Sequence, residues 1–412
     1  MFRMQVLLSI IDPMKKREIL FLTTELPFPP ISGGTIKSFN FLKHLGSIYS
    51  VHLASLIKRN SAEKSISELR SRIPLSSVHL QKLKVDRSGG NLIKSYFYSD
   101  SFNSYRNKST AFGKQVRKIA PEVDAIIIDH YEMFQYIPSA FHGKLIYHSH
   151  NAEFLLWQRM ASLGQNPLKR AILWLESKRV KKLEKKIISE VDLFFATPHD
   201  IGIFKKNGMN CKRFASTFHL GDDRILEREK LLFSEAEESI MFLGTLSWEP
   251  NINGLIWFFE NVWPIIQEKH QNLKIYVIGS NADQRLLKFQ EQQRVEFTGF
   301  VEDVEEYYRR CRLSFVPLQF GSGMKVKVLE AMYRGLPMVL TPVAAEGIDL
   351  VDGDNAFIAD QPKEFAEKLM LLLNDEGKWN QFSESTRKLA RQKYTWKLLF
   401  QAMDVELEKV LE

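Results

Sequence analysis

Short apolar runs alternate with amphipathic stretches along the whole chain. In the first half, Glu18–Thr23, Ser50–Leu56, Ser77–Leu83, Ala125–Asp129, Lys144–His148 and Leu193–Thr197 are mostly continuous in hydrophobicity and bounded by polar residues. Parallel strands covered on both faces have that signature, whereas strands with one wet face alternate apolar and polar residues. The rhythm restarts with Ser239–Gly244, Leu273–Gly279, Val295–Gly299, Leu313–Pro317, Pro337–Thr341 and Ala356–Ala359. Helical patterns between the runs predict two doubly wound α/β domains, each with a mostly parallel sheet. The polar stretch His219–Lys230 places the boundary, giving a first domain over 1–220 and a second over 221–395. Trp396–Leu411 reads as a last helix.

A length of 412 residues agrees with two cores, since single cores seldom exceed about 300 residues. Only Cys211 and Cys311 are present, which excludes a disulfide framework and favours a reducing compartment. Met1–Pro13 is short and has no small-residue cleavage site, so it is not read as a signal peptide, and Met14 is an alternative start. No run reaches the roughly 20 apolar residues of a membrane-spanning helix. The sequence is read as cytoplasmic.

The net charge of +8 is unevenly divided. Residues 1–220 hold 34 Lys and Arg against 17 Asp and Glu, and the remainder 23 against 32. A basic half joined to an acidic one suggests that only the first meets a polyanion. Nucleic acid is set aside, because no recognition-helix or aromatic-plus-basic strand motif is present. An anionic membrane remains. Leu168–Glu190 carries the densest charge: at about 100° per residue Leu168, Ile172, Leu175, Leu183 and Ile187 share one side, and Arg170, Lys178, Lys181 and Lys185 another, with Lys182 at the border. Such a helix can dock its apolar stripe on its own domain and turn the cations to lipid, or simply be a solvated helix.

In open α/β sheets ligands bind where strands end, so the loops after the runs are the places to look for chemistry. Gly33 and Gly34 follow the first strand and precede a helical stretch, an arrangement that admits an anion to free amides, or merely makes a turn. After Lys144–His148 comes Ser149-His150-Asn151-Ala152-Glu153. His150 and Glu153 can exchange protons and bind hydroxyls, or Asn151 can cap the next helix with Glu153 in its first turn. No third metal ligand is evident there, and no metal is expected. The run from Pro317 to Met332 is the richest: glycines at Gly321 and Gly323 flank Ser322, and a helix starting near Met324 carries Lys325 and Lys327 in its first turn. Cations there oppose the helix dipole, so a bound anion is the natural compensation, the alternative being a Lys-Glu surface pair. Glu330 lies one turn beyond Lys327 and faces the same way.

The order Gly321-Ser322-Gly323-Met324-Lys325-Val326-Lys327-Val328-Leu329-Glu330-Ala331-Met332, with Phe242-Leu243-Gly244, Trp248, Pro250-Asn251, Val277-Ile278-Gly279, Gly299-Phe300-Val301 and Asp303, resembles the nucleotide-sugar domain of retaining glycosyltransferases of family 4. The resemblance covers Ile240–Asn374 and, more loosely, the whole chain. It implies the GT-B architecture of two Rossmann-like domains facing across a cleft, a nucleoside-diphosphate sugar on the second, a glycan or lipid-linked acceptor on the first, and no metal or cofactor. It also implies that the last helix crosses back to the first domain. Glu330 then matches the second Glu of the family's Glu-x7-Glu signature and binds the ribose, while the first Glu is replaced by Ser322. The family's basic pair on the diphosphate falls near Thr245 and Asn251, neither of them basic, so Lys325 and Lys327 are expected to supply the charge. His150 matches the strand-end His that contacts the donor sugar. Backbone around Gly244, Phe300 and Gly321 to Gly323 is expected to hold base, diphosphate and sugar, and Gly33, Gly34 and Glu153 to line the acceptor side. A GT-B epimerase or phosphorylase fits less well, for want of further ionisable residues or of a longer chain with a pyridoxal lysine. A non-catalytic nucleotide-sugar binder is the competing reading.

Overall fold

The computed structural model describes residues 16–58, 62–163, 166–292, 294–321 and 323–412; Met1–Pro13, Met14 and Ser322 lie outside them. The chain builds two sheets in which all strand pairs are parallel. The first contains β1 (Glu18–Thr23), β2 (Ser50–Ile57), β3 (Ser77–Lys82), β4 (Ala125–Asp129), β5 (Lys144–His148), β6 (Leu193–Ala196) and β7 (Phe214–Ser216), in the order β3-β2-β1-β4-β5-β6-β7. The second contains β8 (Glu237–Leu243), β9 (Lys274–Ile278), β10 (Val295–Gly299), β11 (Cys311–Val316), β12 (Met338–Leu340) and β13 (Phe357–Ile358), in the order β10-β9-β8-β11-β12-β13. Each apolar run predicted to be a strand is one. The strand β7 escaped notice because its three residues follow Lys212-Arg213 and show no apolar run of their own.

The inner strands of the first sheet are buried on both faces, as continuous hydrophobicity demands, while the edge strand β3 is only half-buried. Ile19 and Phe21 of β1 and Ala125 and Ile127 of β4 point into one apolar cluster, and Leu20, Leu22, Ile126 and Ile128 into another on the opposite face. Side chains alternate across a strand, so a one-residue slip would exchange the two sets. The helix Gly33–Ile48 opens with Ser32, whose hydroxyl accepts from the Thr35 amide at 3.3 Å in a reciprocal capping box.

The last helix, Trp396–Leu411, lies against the first sheet. Phe400 stacks on His44 with ring centroids 4.0 Å apart, Asp404 meets His44 at 2.6 Å, and Glu406 meets Arg213 at 2.9 Å. At its start the Trp396 indole donates to the Gly221 carbonyl at 2.9 Å, which ties the chain end to the crossover between the sheets.

The helix Pro167–Glu190 departs from the stripe expected of it. Its buried positions are Leu173, Glu176, Ser177, Val180, Leu183, Glu184, Ile187 and Ile188, while Leu168 and Leu175 are exposed. The helix spends its buried face partly on carboxylates, since Glu176 and Glu184 each accept backbone amides from neighbouring helices, so the apolar stripe turns outward in its first half. None of the helices among the described residues is long and apolar enough to cross a membrane.

Candidate active site

Parallel register assembles the first half of the site. Thr23, Asp129 and His148 are the last residues of β1, β4 and β5, and register pairs Thr23 with Asp129 and Asp129 with His148, so three polar side chains emerge abreast at one sheet edge. The carboxylate of Asp129 is fully buried and saturated. Its Oδ2 accepts from Thr23 Oγ1 at 3.0 Å and Ser38 Oγ at 2.7 Å, and its Oδ1 meets His148 Nδ1 at 2.8 Å and His150 Nε2 at 2.9 Å. Burial alone would raise its pKa, but the imidazoles of His150 and His130 and the hydrogen bonds from His130 and His148 hold it well below the usual carboxylate range.

His150 thus stands two residues beyond the strand end, fixed from three directions. Asp129 takes its Nε2, the ring of His130 stacks on it with centroids 3.9 Å apart, and its carbonyl meets the Nε2 of His219 at 2.5 Å. Burial, and then the charge of His130, keep His150 well below the ordinary imidazole pKa, so it is neutral. With Nε2–H committed to a carboxylate, the hydrogen bonds assign Nδ1 as an acceptor. That Nδ1 is buried and has no partner among the described residues, and it faces Gly34, where a Cβ would lie 3.7 Å from it. Beneath, Lys37 donates to the Ser149 carbonyl at 2.6 Å and is lowered to about 7 by burial.

Glu153 opens the helix Glu153–Leu163, but Asn151 does not cap it. The buried carboxyl of Glu184, from the helix Pro167–Glu190, accepts from the amides of Glu153 and Phe154 at 3.0 Å each, and Asn151 donates to Glu153 Oε1 at 3.1 Å instead. Burial and the nearby Glu132 raise the Glu153 carboxyl to about 7, which suits it to hold or release a proton near neutrality. Asp129, His130 and His150 bring ligand atoms within 4.8 Å of one another, so the described residues contain one cluster whose donor types suit a cation. Both oxygens of Asp129 are already engaged by protein donors, which leaves the carboxylate poorly placed to bind an ion.

The second domain contributes the loop after β11 and the helix Val326–Arg334. This helix begins two residues later than expected, with Lys325 as its N-cap and no side-chain cap bond. Lys325 folds back onto the Gly323 carbonyl at 2.5 Å and lies 4.0 Å from Glu346, and burial lowers it to about 8. Lys327 takes a different course. Its ammonium sits over the ring of Phe242 at 4.1 Å, donates to Asn251 Oδ1 at 2.7 Å and approaches Gly244 so closely that a Cβ there would be 2.7 Å away. Burial, then the neighbouring Lys325, lower it to about 7.

Asn251 also donates to the Thr245 carbonyl at 2.8 Å, so Gly244, Thr245, Asn251 and Lys327 form one group, to which Thr245 lends only backbone. Glu330, one turn on, lies under Gly221, where a Cβ would come within 2.6 Å of its Cγ. Burial, and then Asp222, raise its carboxyl to about 7, and no hydrogen bond occupies it among the described residues.

The two halves meet. Gly33 faces Val326, and Gly323, with φ of +71°, lies so close to Asn151 that a Cβ would be 2.3 Å from its Oδ1. Arg159 donates to the Gly321 carbonyl and grips Glu346 through two nitrogens at 2.7 and 2.8 Å. The expected residues Gly33, Gly34, His150, Glu153, Gly321, Gly323, Lys325, Lys327 and Glu330 therefore converge on the cleft. Phe300, just after β10, is exposed and makes none of these contacts, and Ser322 is outside the described residues. Sequence reading missed Asp129, Lys37, Gly221, Arg159 and Glu346. Only Asp129 left a signal, as an acid ending a fully apolar run.

Residues 237–375 match the family model described as Glycosyl transferases group 1. The second domain is a glycosyltransferase domain, and the chain is an enzyme. A protein of Klebsiella pneumoniae named an uncharacterized 44.6 kDa protein in the cps region is 21% identical over 363 residues, covering 86% of this chain and 90% of its own. The capsular polysaccharide biosynthesis glycosyltransferase CapM of Staphylococcus aureus is 24% identical over 212 residues, 50% of this chain and 53% of that one. Among solved structures, Anabaena HepE in complex with UDP and glucose aligns over 95% of this chain and all of its own, with a TM-score of 0.68 at 15% identity. TarM aligns over 98% of this chain and 100% of its own, with a TM-score of 0.69 at 12% identity. These likenesses show the fold, the GT-B pair of Rossmann-like domains.

Proposed function

We propose that the protein transfers a sugar from a nucleoside-diphosphate sugar to a growing polysaccharide or lipid-linked glycan, with retention of anomeric configuration and without metal or cofactor. The observation that carries this reading is the pairing, on one helix of a glycosyltransferase domain, of Lys327 and Glu330, together with the buried Nδ1 of His150 in the other domain, which has no partner among the described residues. Among the described residues no hydrogen bond occupies the Glu330 carboxyl, which leaves it for the ribose diol. The ammonium of Lys327 rests on Asn251, where the family resemblance looks for a basic residue, so the cation missing from the loop after β8 is restored from the helix opposite. It neutralises charge that grows on the diphosphate as the glycosidic bond breaks.

His150 accepts a hydroxyl of the transferring sugar at Nδ1, and Gly34 leaves the space for it. Gly33, Gly34 and Glu153 line the acceptor side, with Glu153 able to exchange a proton near pH 7. Lys325 shapes the loop through Gly323 and lies beside Glu346, the carboxylate that Arg159 of the first domain grips, a positioning role in place of the catalytic one expected from sequence. The names of HepE's ligands and of CapM support a UDP-sugar donor and a capsular or cell-wall acceptor. Such an acceptor on a lipid carrier is met at the cytoplasmic face of a membrane, where sugar nucleotides are made.

The test is turnover of UDP-, GDP-, ADP- and TDP-sugars by wild type and Glu330→Ala, with the product anomer read by NMR and the assay repeated in chelator. The reading expects transfer or slow hydrolysis of one donor, insensitive to chelator, and loss of about 2 to 3 kcal/mol of donor binding in the mutant. Tight binding without any turnover would make the chain a nucleotide-sugar binder.

A further inference from the structure

Residues 221–412 hold 23 Lys and Arg against 32 Asp and Glu, yet one place in this acidic half is strongly basic. A cavity of about 260 Å³ is lined by Lys230, Ser383, Glu384, Arg387, Lys388 and Arg391, four cations against one acid. Five of the six lie on the helix Glu376–Lys393, where residues four apart share a face: Ser383, Arg387 and Arg391 form one column, and Glu384 and Lys388 the next. Lys230 reaches in from just beyond the domain boundary and pairs with Glu384 at 2.9 Å. That pair engages the one acid. Among the described residues Arg387, Lys388 and Arg391 make no ion pair, so three cations of the cavity are left without a carboxylate partner.

Arg387 is the unusual member, because it is only 4% exposed. Its guanidinium donates to the carbonyls of Arg334 at 3.3 Å, Leu226 at 2.7 Å and Arg228 at 2.9 Å, while its Nε is buried with no partner among the described residues. Arg391 donates to the same Leu226 carbonyl at 2.8 Å. Carbonyls satisfy hydrogen bonds but bring no net charge, and a charge held out of water calls for a counter-charge. Burial, and then the cations Arg391 and Arg334, push the Arg387 pKa down, and the exposed Glu227 is the acid that opposes them. The neighbouring Glu305 is already shared by three guanidiniums, those of Arg228 at 2.6 Å, Arg334 at 2.8 Å and Arg309 at 3.1 Å.

The cavity is apart from the donor loop. Lys327 stands in the first turn of the helix Val326–Arg334, whereas Arg387 packs at its other end, where a Cβ on Gly335, with φ of +74°, would be 2.7 Å from Arg387 Cδ. We infer that this cavity is an anion site separate from the donor cleft, built for the dianionic phosphoryl group of free phosphate or of a small phosphate ester such as a sugar phosphate. Size and charge select the ligand. Pockets for drug-sized molecules start at about 300 Å³, so a nucleotide sugar is too large for this one. A carboxylate would leave two of the three unpaired cations unmatched, while a phosphoryl group offers two charges and three acceptor oxygens to guanidinium and ammonium donors. The inference uses none of the donor-site residues and does not rest on the transferase reading.

The experiment is calorimetric titration of the full chain with inorganic phosphate and with glucose 1-phosphate, at pH 8 and constant ionic strength in chloride, where a phosphate ester with a second pKa of about 6 is a dianion. Wild type, Lys388→Glu, Lys388→Gln/Arg391→Gln and Lys327→Met are compared, with Lys269→Glu as an exposed charge reversal elsewhere on the domain. Binding should persist in Lys327→Met and Lys269→Glu and weaken roughly tenfold or more in both Lys388 variants. Tighter binding of glucose 1-phosphate than of phosphate would assign the site to a sugar ester, and equal binding to the phosphoryl group alone. Lys388 is exposed and makes no hydrogen bond among the described residues, so its reversal should leave folding and donor hydrolysis as in wild type. No binding of either compound by wild type overturns the inference, as does equal affinity in Lys388→Glu and Lys269→Glu. Binding lost in Lys327→Met but kept in Lys388→Glu also overturns it, since the anion would then sit in the donor cleft. Absence of donor turnover in wild type with phosphate binding intact would sink the transferase reading alone.

Discussion

At the scale of single residues, the site depends on ionisable groups removed from water, and their protonation should be visible in binding. Burial lowers Lys327 to about 7, while a diphosphate requires its charged form. Below pH 7 the ammonium already exists, and above pH 7 the proton must be taken up with the nucleotide. UDP affinity should therefore be level below pH 7 and fall by up to tenfold per unit above it, with uptake of as much as one proton at pH 8, read by calorimetry in buffers of different ionisation heat. Glu330, raised to about 7, ionises in the same window, so Glu330→Gln isolates the lysine, and Lys327→Met should abolish the uptake. A pH-independent affinity would remove Lys327 from the diphosphate.

On the opposite wall, Asp129 acts through His150 rather than on substrate. Asp129→Asn keeps the shape but can present an amide to His150 Nε2, which favours the other tautomer and turns a proton toward Gly34. Turnover should drop by roughly 100-fold, by analogy with tautomer loss in other His-carboxylate pairs, with donor affinity nearly unchanged. A parallel loss of donor affinity would show a merely structural role.

At the scale of elements, helix ends are completed by residues from far away in sequence. Glu184 accepts the first two amides of Glu153–Leu163 and so sets the direction in which Glu153 enters the cleft. Burial raises this carboxyl well above its ordinary range, so it serves as a hydrogen-bonding group without needing charge. Glu184→Ala should cost about 2 to 3 kcal/mol in urea unfolding, from two orphaned amides and a cavity, while Glu184→Gln, which retains one acceptor, should cost about half as much. Equal stability of all three would show that another group satisfies the helix start. The same exchange of roles explains the outward stripe of Pro167–Glu190: positions that periodicity assigns to apolar packing are displaced because carboxylates from this helix are needed inside.

At the scale of the whole molecule, the cleft is closed by a small polar clasp. Arg159 of the first domain holds Glu346 and the Gly321 carbonyl of the second, Lys325 approaches Glu346 from its own side at 4.0 Å, and His199 lies 3.9 Å away. One carboxylate thus gathers cations from both domains beside the donor loop. Glu346→Ala removes it, leaves Arg159 and Lys325 facing each other, and should open the cleft. Small-angle scattering should show a larger radius of gyration without donor, and KM for donor should rise about tenfold, with thermal stability of each domain little changed. An unchanged profile and KM would mean that the apolar contacts, including those through Trp396, suffice to set the closure.

Local pattern determined the two sheets, because parallel strands buried on both faces leave short apolar runs, and their length, polar boundaries and regular alternation with helical patterns separate them from buried helices. It also determined which loops carry chemistry, since strand ends and glycines before helices can be read within a few residues. Gly321, Gly323, Lys327, Glu330 and His150 were legible for that reason. Tertiary structure decided which of two adjacent lysines faces the Gly244 loop, because a helix start displaced by two residues turns Lys325 to the backbone and Lys327 to Asn251. It alone decided that Asp129 orders the histidines, that Glu184 and not Asn151 begins a helix, and that Arg159 meets Glu346. Each of these joins residues from different elements, with separations of 19 to 187 positions, and a buried charge leaves no periodic trace of the partner that stabilises it.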